Sequence, residues 1–70
     1  MKRRYHLTVL GYYRSHDTTH QVSIDCDGMW FTSSGCYEFY KIVENDTMIP
    51  VAYYPIRQTI ITSIEDLKSR

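Results

Sequence analysis

The sequence predicts an all-β protein, and three observations predict it. β-Branched and aromatic residues dominate, including 7 tyrosines in 70 residues, while strong helix formers are sparse, with one alanine and two leucines ahead of Leu67. Such residues suit the pleated, half-buried surface of a sheet. Apolar and polar side chains alternate with period two along several short runs, which is the strand pattern. Those runs are separated by Gly, Pro, Asn, Asp and Ser in the combinations that make turns.

Arg4 to Arg14 reads as a first strand, with Tyr5, Leu7 and Val9 on one face and His6, Thr8 and Leu10 on the other. Gly11 interrupts it and suggests a bulge or bend. Ser15 to Thr19 is a polar connection of turn-forming residues. The stretch from Gln21 to Ser33 then organises the chain. It carries Asp27-Gly28 between two alternating runs, a strong signal for a two-residue hairpin turn. That turn would set Cys26 opposite Met29, Asp25 opposite Trp30, Ile24 opposite Phe31 and Ser23 opposite Thr32. Val22, Ile24, Cys26, Met29 and Phe31 would share an apolar face, leaving Trp30 on the polar side beside Asp25.

Ser33-Ser34-Gly35 can re-aim the chain. Cys36–Val43 and Met48–Tyr54 form a second predicted hairpin across residues 44–47, with Asn45-Asp46 at its tip. The implied pairs are Val43 with Met48, Ile42 with Ile49, Tyr40 with Val51 and Phe39 with Ala52. Both faces of this hairpin carry apolar groups, so one packs on the core and the other is a tyrosine-rich, partly exposed surface. Pro50 lacks an N–H and marks an edge strand. Tyr54-Pro55 turns the chain, and Thr59 to Ile64 is the last expected strand. Ser63-Ile64-Glu65-Asp66 resembles a capping box and predicts a short helical turn over residues 64–68. Together these elements give about five short antiparallel strands in one domain, residues 1–70. A strongly twisted sheet, or a small SH3-like or OB-like partly open barrel, accommodates them.

Composition narrows function by exclusion. Lys+Arg and Asp+Glu balance at 8 each, so no overall field draws the chain to nucleic acid or an anionic membrane. No apolar run approaches the roughly 20 residues of a membrane span, and Leu7 to Leu10 is too short for a signal-peptide core. The expected protein is soluble and cytoplasmic, with Cys26 and Cys36 reduced, since a secreted chain of this size usually carries more cysteines. His16, His20, Cys26 and Cys36 are zinc-ligand types, but the cysteines lie ten residues apart without the close pairing of structural zinc sites. Ser15, His16, Asp17 and His20 cluster in one loop without the rigid pocket that nucleophilic catalysis needs. The chain reads as non-enzymatic, with no cofactor and no metal.

Protein binding accounts for the most residues, because Tyr and Trp combine large contact area with few rotatable bonds. Trp30, Asp25, Tyr12, Tyr13, Tyr37 and Tyr54 are the candidate contacts, with Tyr40 and Tyr53 as the alternative tyrosine pair. Read as a free-standing chain from Met1, it has no attached catalytic domain to regulate. A stoichiometric inhibitor or accessory subunit is therefore expected. Inhibitors encoded by phages and mobile elements are typically this small, an analogy of size alone. Pairing of an exposed strand with a second copy is a further route to association. The alternative is a single-stranded nucleic-acid-binding barrel using Lys2, Arg3, Arg4 and Arg14 with the same tyrosines.

Overall fold

A computed structural model describes residues 2–13 and 16–67, with the side chains of residues 12–18 excepted. Among the described residues there are six strands and no α-helix: β1 (Lys2–Tyr13), β2 (His16–Cys26), β3 (Gly28–Phe31), β4 (Cys36–Val43), β5 (Thr47–Pro55) and β6 (Thr59–Leu67). They form two antiparallel three-stranded sheets, ordered β2-β1-β6 and β3-β4-β5, which do not close into a barrel.

The Asp27-Gly28 hairpin is not formed. β2 pairs with β1 and β3 pairs with β4, so the chain passes from one sheet to the other at Asp27. The Asp27 backbone N–H donates to the Tyr40 carbonyl at 2.9 Å, and its carboxylate accepts the Ile42 N–H at 2.7 Å. Those bonds hold the corner against β4 and open it away from β2. Gly28 has no positive φ, which the hairpin turn would require. A glycine is needed there for a different reason. A Cβ on Gly28 would lie 2.6 Å from Tyr40 Cζ, because the Tyr40 ring lies over its cross-strand partner.

Facing in β1 and β2 follows the alternation. Tyr5, Leu7, Ile24 and Cys26 are buried, and Val9 and Val22 pack against them. The β3–β5 sheet contributes one buried hydrophobic side chain among the described residues, Phe39, supported by Met29, Tyr37, Ala52 and Tyr54. Phe39 meets Tyr5 edge-on at a centroid distance of 5.2 Å, which joins the sheets. Phe31, expected inside, is 68% exposed, with its ring 5.6 Å from that of Tyr37.

The overlap is partial. The radius of gyration is 13.5 Å, against about 11 Å for a compact chain of this length. Residues 41–51 are all exposed, so the distal part of the β4–β5 hairpin extends past the other sheet. Asn45 and Asp46 sit at its tip with φ of 62° and 56° in a 3-10 turn, Glu44–Asp46. This turn shifts the distal register by one residue, pairing Val43 with Thr47 and Ile42 with Met48. An irregularity between Phe39 and Tyr40 absorbs Val51 and restores the expected Phe39–Ala52 pair. β5 is an edge strand, as Pro50 indicates.

Three further expectations are corrected. Gly11 pairs with Thr18 in unbroken register, and the bulge falls opposite His6 and Leu7, where Thr62 is the extra residue of β6. The Thr62 hydroxyl donates to the His6 carbonyl at 3.0 Å across that bulge. His16 to Thr19 belongs to β2 rather than to a loop. Ile64 to Leu67 continues β6 instead of turning into a helix, because β1 offers its strand edge and Asp66 pairs with Arg3 at 3.3 Å. The turn before β4 is a hairpin turn. Gly35 has φ of 89°, and the Thr32 hydroxyl accepts the Cys36 N–H at 3.1 Å.

Thr59 is 4% exposed, and among the described residues its hydroxyl has no hydrogen-bond partner. An unmade buried hydrogen bond costs about 1–3 kcal/mol, and an apolar group of the same shape avoids that cost. Thr59→Val is therefore expected to raise stability by about 1 kcal/mol, read as a higher urea midpoint with unchanged slope.

Candidate functional site

The outer faces of the two sheets differ in chemistry. On the β2-β1-β6 sheet the exposed side chains satisfy one another. Arg4 grips Asp25 through two bonds, Nε to Oδ1 at 2.7 Å and Nη2 to Oδ2 at 3.0 Å. The His6 ring spans Ser23 and Glu65, each at 3.1 Å, and the Thr8 hydroxyl donates to Gln21 at 3.1 Å. The Arg4 guanidinium holds the Asp25 carboxyl below its ordinary pKa. The ion pair therefore stabilises the fold fully above the ordinary carboxylate range and loses that contribution as pH falls through the depressed value. Wild type is expected to lose stability more steeply than Asp25→Asn on acidification, measured as urea midpoints from pH 7 to pH 2.

The outer face of the β3-β4-β5 sheet is aromatic around one carboxylate. Register places Trp30, Glu38 and Tyr53 side by side across the three strands. Trp30 Nε1 donates to Glu38 Oε1 at 2.8 Å, and the Tyr53 hydroxyl donates to Glu38 Oε2 at 3.4 Å. Tyr40, two residues along β4, stacks on Trp30 with centroids 5.1 Å apart and planes inclined at 45°. Trp30 is 46% and Tyr53 55% exposed. Partial burial and then the neighbouring Glu38 charge push the Tyr53 phenol up, so it keeps its donor proton throughout the neutral range.

Each sequence-predicted residue has a clear place. Trp30 is exposed, as expected, but its partner is Glu38. Asp25 lies in the other sheet and is bound to Arg4. Tyr37 and Tyr54 face each other across β4 and β5 and pack against the core, so Tyr40 and Tyr53 are the outward pair. The side chains of Tyr12 and Tyr13, and Arg14 altogether, lie outside the described residues. Arg3 and Arg4 are paired with Asp66 and Asp25, which leaves exposed Lys2 as the remaining cation of the basic run.

Glu38, the centre of the site, was missed. The signal was Glu38 itself. A charged residue in the middle of an apolar strand points outward, and alternation then carries Tyr40 outward and Tyr37 and Phe39 inward.

Cys26 and Cys36 are free thiols. Cys26 is buried, and burial pushes its thiol up in pKa, the opposite of an activated nucleophile. Among the described residues no three His, Cys, Asp or Glu side chains converge to hold a metal, and no helix is long and apolar enough to cross a membrane. Compared with known proteins, the chain matches no family model, no curated protein and no solved structure.

Proposed function

We propose that this is a non-enzymatic binding protein that acts stoichiometrically, as an inhibitor or accessory subunit, by occupying a surface of a protein partner with the outer face of its β3-β4-β5 sheet. One observation carries this reading: the exposed rings of Trp30 and Tyr53 and the half-buried ring of Tyr40 each rest against a neighbour. Glu38 anchors two of them, and Tyr40 rests between Gly28 and Trp30. Exposed aromatics with restricted rotation lose little entropy on binding, which is the property of interface anchors. The nucleic-acid alternative is disfavoured, since a carboxylate stands among the rings on which bases would stack and Arg3 and Arg4 are committed to carboxylates.

The test is capture of partners from a native lysate on immobilised protein, with and without nuclease, eluting in rising salt. A protein that survives nuclease and moderate salt, and is lost with Trp30→Ala, supports the reading. Nucleic acid eluting steeply with salt would move the function to the alternative.

A further inference from the structure

Glu38 is the only charged side chain at the outward positions of β3, β4 and β5 that flank the aromatic row, where Trp30, Cys36, Tyr40, Ile42, Met48, Pro50 and Tyr53 are among the others. Among the described residues, no cation forms an ion pair with it. This carboxylate decides what kind of partner can cover the face.

A purely apolar partner would strip water from Glu38 and supply no counter-charge, and an uncompensated buried charge is strongly destabilising. A phosphate or carboxylate would meet like charge. A cation, by contrast, gains twice. Each Glu38 oxygen already accepts one internal hydrogen bond and retains capacity for another, since a carboxylate has about four acceptor sites. The ring faces of Trp30 and Tyr40 beside it attract positive charge within about 6 Å of a centroid. Guanidinium fits better than ammonium because it is planar, stacks on rings and can bond both oxygens.

Resting on the protein-binding reading above, we propose that the Trp30–Glu38–Tyr40–Tyr53 face is a receptor for an arginine side chain of the partner. The guanidinium lies over the Trp30 and Tyr40 rings with its N–H groups on Glu38. The surrounding Ile42, Met48 and Pro50 contact the apolar neighbours of that arginine.

The experiment titrates ¹⁵N-labelled protein with N-acetyl-arginine amide, following the Trp30 indole N–H resonance. N-acetyl-citrulline amide, the neutral isostere, and N-acetyl-lysine amide are run in parallel. The arginine probe is expected to give a saturable shift with millimolar affinity, the lysine probe a weaker one, and the citrulline probe none. Glu38→Gln, which keeps the shape and one acceptor, is expected to weaken arginine binding at least tenfold. Gly28→Ala should also weaken it, because the new methyl displaces the Tyr40 ring. Equal binding of citrulline, undiminished binding by Glu38→Gln, or no saturable shift with arginine up to about 100 mM would overturn the proposal. Its failure is separable from that of the binding function. A protein partner still captured by Glu38→Gln but lost with Trp30→Ala would leave the interaction face standing without its arginine.

Discussion

Phe39→Ala is expected to unfold this protein. Phe39 is fully buried and is the one buried hydrophobic side chain that the β3-β4-β5 sheet contributes among the described residues. Its ring touches Tyr5 of the opposite sheet and lies 6.4 Å and 6.2 Å from the rings of Tyr37 and Tyr54. Truncating such a residue costs about 3–5 kcal/mol through lost transfer energy and the cavity left behind. A chain of this length has roughly 4–10 kcal/mol of stability in total. Losing the contact that joins the two sheets should therefore populate the unfolded state at room temperature. Denaturant unfolding followed by near-ultraviolet circular dichroism should show a lost or strongly lowered native baseline. Phe39→Leu should keep a cooperative transition at a lower midpoint, because it preserves part of the volume. An unchanged midpoint for Phe39→Ala would mean that the sheets are held together elsewhere.

Trp30→Ala is expected to do the opposite, leaving the fold in place and removing the proposed partner binding. Nearly half the Trp30 surface is open to solvent, its ring contacts Tyr40, and its one hydrogen bond goes to Glu38 at the surface. Removing it should leave the unfolding midpoint close to that of wild type. Binding should fall far more, since truncating a central aromatic anchor costs about 2 kcal/mol or more, a factor of roughly thirty in affinity. The variant also frees Glu38 Oε1 and lets the Tyr40 ring move, so part of the loss is preorganisation. A Trp30→Ala protein that no longer folds would place the indole in the core.

How much of this was legible in the sequence depends on which force decided each element. Alternation settled the facing of Tyr5, Leu7, Val9, Ile24 and Cys26, because a one-residue slip would have reversed every one of them. Pro50 announced an edge strand, since it cannot donate to a ladder. The Cys36–Val43 hairpin was readable from its Asn45-Asp46 tip, although the residue count of the turn was not, and the register slipped by one until the irregularity at Phe39 and Tyr40.

The misreadings share a cause. Asp27-Gly28 has the composition of a hairpin turn, but the choice between a turn and a corner rests on what lies opposite. Tyr40 over Gly28, and Ile42 bonded to Asp27, are contacts across about a dozen residues that local pattern does not contain. Placing Trp30 opposite Asp25 followed from that single choice. With the corner recognised, Trp30 falls opposite Glu38, and the tyrosines exchange faces. The capping-box reading of residues 63–66 failed similarly, because pairing with Lys2 to Tyr5 outweighed a weak local helical preference.

The most direct test of the account is a three-way capture experiment from native lysate after nuclease treatment. It compares wild type, Trp30→Ala and Ile60→Ala. Ile60 pairs with Thr8 and is 53% exposed on the other sheet, so its truncation controls for general loss of apolar surface. Wild type and Ile60→Ala should retain the same salt-tolerant protein partner, and Trp30→Ala should lose it while remaining folded. Retention by Trp30→Ala with loss by Ile60→Ala would place the interaction on the opposite face and contradict the account.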